Sequence, residues 1–246
     1  MKKKKIIVDV FIPCFIDQLY PETGLNMVKI LERLGCEVHY NTNQTCCGQP
    51  ALNAGYVEEA RAVAVKFLND FSDPKRYIVT PSASCVGMIR NSYGKLFNQS
   101  VYVLDYKRVQ RNTYEFSEFL LDVLKVEDIG ASLNAVATYH DSCSALRECE
   151  IKEGPRRLLP HVRGLELREM ADSETCCGFG GSFAVKFEPI SVGMAEQKIN
   201  NALKAEAEIM ISTDASCLMH MKGYIDKNKK NIRVMHLVDV LASGLE

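Results

Sequence analysis

The chain contains two pairs of adjacent cysteines, and both pairs lie in the same four-residue context. Residues 45–48 read Thr-Cys-Cys-Gly, and residues 175–178 repeat these four letters. A disulfide between neighbouring cysteines strains the backbone, because successive side chains point apart. Thiolates that share a metal ion or an inorganic cluster avoid this strain. The repeat therefore favours metal chemistry over structural disulfides.

Each cysteine pair is accompanied by one cysteine far upstream and one far downstream, so each half of the chain carries a quartet. The spacing within the second quartet repeats that of the first almost position for position. Such a repeat indicates two copies of one structural unit. The candidate ligands are Cys14, Cys46, Cys47 and Cys85 in the first half, and Cys143, Cys176, Cys177 and Cys217 in the second half.

Four soft thiolates are the usual ligands of an iron-sulfur cluster, so the sequence predicts one or two clusters per chain. Structural zinc also accepts four thiolates, but it usually takes them from close Cys-x-x-Cys pairs rather than from ligands spread over about 75 residues. A zinc-stabilised interaction module is therefore the less favoured alternative. Gly48 and the glycines of residues 178–181 suit a backbone that approaches a bulky inorganic core.

Composition excludes several classes of function. The 246 residues are 47% hydrophobic and 25% charged, with a formal net charge of -1, which is typical of a globular protein and gives no basic surface for nucleic acid. No run approaches the roughly 18 apolar residues of a transmembrane helix, and Asp9 interrupts the apolar start. Ten cysteines without a secretion signal indicate a reducing compartment, so we expect a cytoplasmic protein.

Strand-length apolar runs alternate with amphipathic helical patterns, which predicts an α/β fold of two similar lobes, each a small parallel sheet flanked by helices. The lobe boundaries are expected at residues 1–129 and 130–246. The predicted strands are Ile6–Phe11, Glu37–Tyr40, Tyr77–Thr80, Ala135–Tyr139, Leu165–Met170 and Glu208–Ser212. The predicted helices are Leu25–Leu34, Tyr56–Phe71, Ser84–Leu96, Ser117–Leu124, Ile190–Ala207, Ala215–Lys227 and Leu237–Leu245.

All eight candidate ligands follow predicted strands. Parallel sheets place their binding loops at the carboxyl ends of the strands, so three loops of each lobe are expected to converge at one sheet edge. The lone upstream cysteine follows the first strand, the pair follows the second, and the downstream cysteine follows the third. Each quartet is therefore expected to gather at one point.

The pattern of a lone Cys, a Cys-Cys-Gly and a final Cys, present twice, resembles the cysteine-rich CCG domain family over nearly the whole chain. This family includes a subunit of heterodisulfide reductase, the iron-sulfur subunit of glycolate oxidase and two-copy proteins of the lactate utilization protein A type. Residues 140–143 and 176–183 look most like the last branch. The resemblance implies four-iron four-sulfur clusters and electron transfer in a complex that oxidises L-lactate to pyruvate, with further iron-sulfur subunits as partners.

The chain departs from the family pattern at the end of each quartet. Many CCG domains end in Cys-x-x-Cys, but Met88 and His220 stand where the last cysteine would be. His220 is a possible extra ligand, because imidazole replaces thiolate on iron in some clusters. Met88 is expected to pack in the core.

Each of the remaining candidate residues can also be explained by an ordinary structural role. His140 and Asp141 precede Cys143, and His140 is a weak candidate for proton transfer, although a histidine at a strand end usually satisfies local backbone groups. Cys36 and Cys149 lack repeat partners and are expected to fill the core. A heterodisulfide or thiol-disulfide reductase, in which a substrate sulfur meets the cluster, remains an alternative function.

Overall fold

The computed structural model describes residues 5–245 and divides into two compact units between Phe119 and Leu120. Here the first lobe denotes residues 5–119 and the second lobe residues 120–245. Each lobe contains a four-stranded, entirely parallel sheet with helices in its crossover connections. The predicted α/β class with two similar lobes is confirmed.

The first lobe has the strand order β2-β1-β3-β4. Val10 of β1 pairs in register with Tyr40 of β2 and with Val79 of β3. The strands are β1 (Ile7–Val10), β2 (Glu37–Tyr40), β3 (Tyr77–Thr80) and β4 (Thr113–Glu115). The helices are α1 (Cys14–Leu19), α2 (Pro21–Arg33), α3 (Gln49–Asn53), α4 (Val57–Asp70), α5 (Ala83–Gly87), α6 (Tyr93–Phe97), α7 (Val103–Asn112) and α8 (Phe116–Glu118).

The second lobe repeats this topology with the order β6-β5-β7-β8. A π-helical segment, Phe119–Leu124, leads into it, and a 3-10 turn, Leu159–His161, precedes its second strand. The strands are β5 (Ser132–Tyr139), β6 (Arg163–Leu167), β7 (Ile209–Ser212) and β8 (Arg233–His236). The helices are α9 (Cys143–Glu148), α10 (Glu153–Leu158), α11 (Ser182–Lys186), α12 (Glu188–Lys204), α13 (Ala215–Lys227) and α14 (Leu237–Ala242).

The core of the first lobe explains why α4 forms where it does. Ala60, Ala64, Phe67 and Leu68 recur at helical spacing and are all buried. Phe67 packs edge-on against Phe11 at the end of β1, with their ring centroids 4.9 Å apart. Such aromatic contacts stabilise by about 1 kcal/mol beyond the burial of area. The end of β1 in this lobe is therefore surrounded by apolar side chains.

Several features differ from the sequence prediction, and two of them are instructive. The predicted helix Ser84–Leu96 is interrupted by a π-helical segment, Met88–Ser92, between α5 and α6. The segment carries the buried Met88, which packs in the core as expected. The fourth strands, β4 and β8, were not predicted: β4 has only three residues, and β8 begins with an arginine and ends with a histidine, so neither shows a clear apolar run.

Within residues 5–245, none of the helices is both long enough and apolar enough to cross a membrane.

Candidate metal centre

The strand order places the candidate ligands at a topological switch point. In the first lobe the chain leaves β1 for β2 on one side and returns to β3 on the other, so the carboxyl ends of β1 and β3 flank a crevice. Cys14 begins α1 shortly after Val10, and Cys85 lies in α5 shortly after Thr80. The second lobe repeats the arrangement, with Cys143 at the start of α9 and Cys217 in the first turn of α13.

The four thiols of the first lobe lie in contact. The Sγ atoms of Cys14 and Cys46 are 3.9 Å apart, and those of Cys47 and Cys85 are 3.4 Å apart. The side chains of Cys46 and Cys47 also interact, which links the two pairs. Two thiolates on one tetrahedral ion, each about 2.3 Å from it, stand about 3.8 Å apart. These sulfurs are therefore close enough to bind a common metal ion without rearrangement of the sheet.

The second lobe brings its quartet together in the same order. Side-chain interactions join Cys143 to Cys176, Cys176 to Cys177, and Cys177 to Cys217. The backbone amide of Gly178 donates to Cys176 Sγ at 3.4 Å, as the amide of Gly48 does to Cys46. The convergence expected from the sequence is therefore present in both lobes.

Each quartet has an inner and an outer pair of sulfurs. Cys47 and Cys85 are buried, whereas Cys14 and Cys46 are half-buried. In the second lobe the corresponding inner residues are again buried and the outer residues half-buried. A centre held by either quartet would have a protein-facing side and a side closer to solvent.

The pKa of the first cysteine of each pair is lowered by neighbouring groups. Hydrogen bonds from the thiols of Cys14 and Cys47, together with the Gly48 amide, lower the pKa of Cys46. The shared hydrogen bond and burial raise the pKa of Cys14. The pKa of Cys176 is lowered by equivalent groups, with the largest effect from Cys143. Since the thiolate is the metal-binding form, a lowered pKa favours these two sulfurs as ligands.

The glycine after each cysteine pair is required by the fold. Gly48 and Gly178 have φ values of 88° and 93°, in the left-handed region that side chains disfavour. A Cβ on Gly178 would lie 2.7 Å from the Ser191 carbonyl oxygen, and one on Gly48 would lie 3.1 Å from the Ala60 carbonyl oxygen. Each glycine thus lets the thiol loop lie directly on the following long helix.

Gln44 fastens the first thiol loop to the end of β1. Its Oε1 accepts a hydrogen bond from the Ile12 amide at 2.7 Å, and its Nε2 donates to the Val10 carbonyl at 3.1 Å. Two backbone groups that β1 leaves unpaired at its end are thereby satisfied. Sequence reasoning did not identify this role, because Gln44 and Val10 are distant in the sequence and meet only in the folded lobe.

His140 is the imidazole that approaches the sulfurs. One of its ring nitrogens, Cys177 Sγ and Cys217 Sγ lie within 4.8 Å of one another, and no other such group of three is found among residues 5–245. The ring is fully buried, and neither nitrogen makes a hydrogen bond of normal geometry. Burial, reinforced by the Lys198 cation, lowers the pKa of His140 to about 3. The ring is thus neutral, and one of its nitrogens lies near two thiols.

The other sequence candidates lie in different surroundings. Asp141 pairs with Arg156 inside the second lobe. His220 places Nε2 3.2 Å from Ser191 Oγ and 3.3 Å from the Ser191 carbonyl oxygen. Cys36 and Cys149 are buried and belong to neither quartet, and burial raises the pKa of Cys36 to about 11. No disulfide joins any of the ten cysteines, all of which the structure describes.

Comparisons with known proteins agree with this geometry. The model of the cysteine-rich domain, CCG, matches residues 8–90 and 137–222, which are the segments that carry the two quartets. The chain is 47% identical over 235 residues to lactate utilization protein A of Geobacillus kaustophilus, covering 95% of this chain and 98% of that protein. It is 45% identical, with the same coverage, to lactate utilization protein A of Geobacillus thermodenitrificans.

A solved structure supports the fold alone. A hypothetical protein from Helicobacter pylori superposes with a TM-score of 0.63 at 11% identity, covering 98% of this chain and 49% of that one. The family assignment depends instead on the twice-matched domain and on the close relatives. The chain belongs to the cysteine-rich CCG domain family.

Proposed function

We propose that each quartet holds an iron-sulfur cluster and that the chain transfers electrons in a complex that oxidises L-lactate to pyruvate. The observation that carries the proposal is the convergence of four thiols from three loops at the switch point of each sheet. A cluster held there would supply reversible one-electron chemistry. Thiolates are the soft ligands that iron-sulfur clusters prefer, so the donor set fits this group.

The protein's own residues perform three tasks in this proposal. The eight cysteines supply the thiolates, and the amides of Gly48 and Gly178 donate to one sulfur of each quartet. Hydrogen bonds to ligand sulfurs are one way in which proteins tune the potential of a cluster. The inner cysteines exclude water from one side, while the half-buried outer cysteines leave a short path to an electron partner.

The lactate assignment comes from the relatives named lactate utilization protein A. Oxidation of lactate to pyruvate removes two electrons and two protons, and this sequence carries no G-x-G-x-x-G motif for a hydride-accepting dinucleotide. Partner subunits with a catalytic site or further clusters are therefore part of the proposal. Beside the second quartet, Val185, Phe187 and Ile190 expose apolar side chains, which is a suitable surface for such a partner.

The cluster assignment is tested by metal analysis of the full chain purified without oxygen. We expect iron and acid-labile sulfide in the wild type, and loss of one lobe's share in Cys85→Ser and in Cys217→Ser. Cys36→Ser and Cys149→Ser remove buried thiols outside the quartets and serve as matched controls that retain iron. A colourless protein that contains only zinc would refute the electron-transfer assignment and favour a zinc-stabilised module.

The substrate is tested separately by deletion of the gene from its host. We expect the deletion strain to lose growth on L-lactate as the carbon source and to recover it when the gene is restored. Growth at the wild-type rate, in a host without a second copy, would remove lactate from the proposal. The metal analysis would be unaffected by that outcome.

A further inference from the structure

Phe11 and His140 occupy the same place in the two lobes. Phe11 precedes Cys14 by the same number of positions as His140 precedes Cys143. The Phe11 amide donates to the carbonyl of Val79 in β3 at 2.9 Å, and the His140 amide donates to the carbonyl of Ile211 in β7 at 2.8 Å. Each acceptor is the third residue of its strand. The two side chains therefore leave equivalent points of the two sheets.

The helix behind each site can be aligned in the same way. The Ala60 carbonyl of α4 lies nearest to a Cβ built on Gly48, and the Ser191 carbonyl of α12 lies nearest to one built on Gly178. About two helical turns further on, at the same step in each helix, stand Phe67 and Lys198. Both Phe67 and Lys198 are 2% exposed.

The two lobes thus differ in what surrounds equivalent positions. In the first lobe Phe11 packs against Phe67 in an apolar contact. In the second lobe the pair becomes His140 and Lys198, and the Lys198 ammonium group donates to the Ser173 carbonyl at 3.1 Å. The first lobe shows that two aromatic rings fill this space, so the polar pair of the second lobe is not needed for packing.

Burial of an imidazole in this way lowers the stability of the fold. Leaving a buried polar group without a well-formed hydrogen bond is destabilising, and His140 has only an interaction with the Ser173 backbone and no hydrogen bond of normal geometry at either nitrogen. The groups near one of them are Cys177 Sγ and Cys217 Sγ, within 4.8 Å. A metal bound between these atoms would satisfy the nitrogen and offset the cost.

We propose that His140 is a nitrogen ligand of the metal centre in the second lobe, where it acts beside Cys177 and Cys217. The first lobe has Phe11 at this position, so its centre has sulfur ligands only. The inference rests on the proposed function, since it requires that the quartets bind metal. It makes the two centres chemically distinct within one chain.

The two centres are expected to differ in reduction potential. The imidazole of His140 adds a neutral ligand to the four thiolates of the second lobe, so it leaves the charge of that centre unchanged. The buried Lys198 cation beside the second site raises the reduction potential, because it favours the more negative reduced state. The centre of the second lobe is therefore expected to be reduced at a more positive potential than the centre of the first.

The test uses pulsed electron paramagnetic resonance of the full chain, purified without oxygen and labelled with 15N-histidine. A Cys85→Ser background removes the first-lobe centre, so that the signal comes from the second lobe. We expect a strong 15N coupling of the size seen for directly bound imidazole. The coupling disappears in His140→Phe, which copies the first lobe, and persists in His220→Phe.

A second variant guards against misfolding of His140→Phe. His140→Cys offers sulfur at the same point, and we expect it to retain iron, to lose the nitrogen coupling and to shift the second-lobe potential to a more negative value. A coupling that survives both His140 variants, or that vanishes in His220→Phe, would overturn the assignment while the bound iron still supported the proposed function. Absence of iron and sulfide from the wild type would instead refute the proposed function itself.

Discussion

The carboxylate of Asp141 lies against the guanidinium group of Arg156 with both oxygens bound. The Nη1–Oδ1 and Nη2–Oδ2 distances are 2.7 and 2.8 Å, and Asp141 is fully buried. Arg156 also lies over the ring of Tyr139, with its guanidinium carbon 5.2 Å from the ring centroid. This ion pair holds the backbone between the end of β5 and the start of α9, where Cys143 lies.

Removal of Arg156 should therefore destabilise the second lobe strongly. Arg156→Ala leaves the buried Asp141 carboxylate without its counter-ion, and we expect a loss of about 3–5 kcal/mol in the free energy of unfolding. Urea titration followed by circular dichroism measures the change. Arg157→Ala is the matched control, because Arg157 pairs with Glu127 at the surface and its loss should leave the midpoint unchanged. Equal shifts for both variants would contradict the prediction.

Glu115 predicts a pH dependence of stability in the first lobe. Its carboxyl group is wholly buried at the end of β4, where Oε2 accepts a hydrogen bond from the Ser117 amide at 2.7 Å. Burial raises its pKa from 4.5 to about 7. Since the folded state then holds a proton that the unfolded state releases, this contribution to stability is complete below the unfolded pKa. It falls by about 3 kcal/mol as the pH rises through the folded pKa.

The measurement compares the wild type with Glu115→Gln between about pH 4 and pH 8, which brackets the two pKa values. Glutamine keeps an acceptor oxygen but does not titrate, so the variant should show a smaller decline in unfolding free energy over this range. The difference between the two pH profiles isolates the contribution of Glu115 from that of other groups. Parallel profiles would show that the carboxyl group is already ionised in the folded protein.

Gly178 and Gly193 should respond oppositely to alanine. Gly178→Ala forces a side chain into a left-handed backbone position and against Ser191, so a loss of at least about 1–3 kcal/mol is expected, together with faster loss of iron. Gly193 lies within α12, where a Cβ would have no neighbour within 4 Å. Gly193→Ala should stabilise the helix by up to about 1 kcal/mol. Thermal melting and iron release to a chelator would check both variants.

Much of the candidate site could be predicted from the sequence, because its geometry follows from a simple rule. Strands Glu37–Tyr40 and Tyr77–Thr80 and the helix Ala215–Lys227 have the predicted bounds. Their apolar patterns are clear, and parallel strands bring their carboxyl ends together whatever the loops between them contain. The convergence of the cysteines required no more than the correct assignment of three strands in each half.

The environment of His140 could not be predicted from the sequence in this way. Lys198, whose charge helps to lower the pKa of His140, lies far along the chain in α12 and comes near it only in the folded lobe. A histidine at a strand end usually bonds to nearby backbone groups, and no local pattern distinguishes the exception. The internal repeat held the one available signal, since Phe11 stands at the matching position.

Small differences in spacing between the lobes show where the fold tolerates change in length. The second lobe has one more residue than the first in each of three connections. The first connection runs from the lone cysteine to the cysteine pair. The second runs from the pair to the helix residue whose carbonyl contacts the glycine, and the third runs from that helix residue to the last cysteine. The lone cysteine and the last cysteine nevertheless follow their strand ends by the same number of positions in both lobes. In a redesigned protein the length of these three connections can therefore change. The number of residues from Val10 to Cys14 and from Thr80 to Cys85 should be kept.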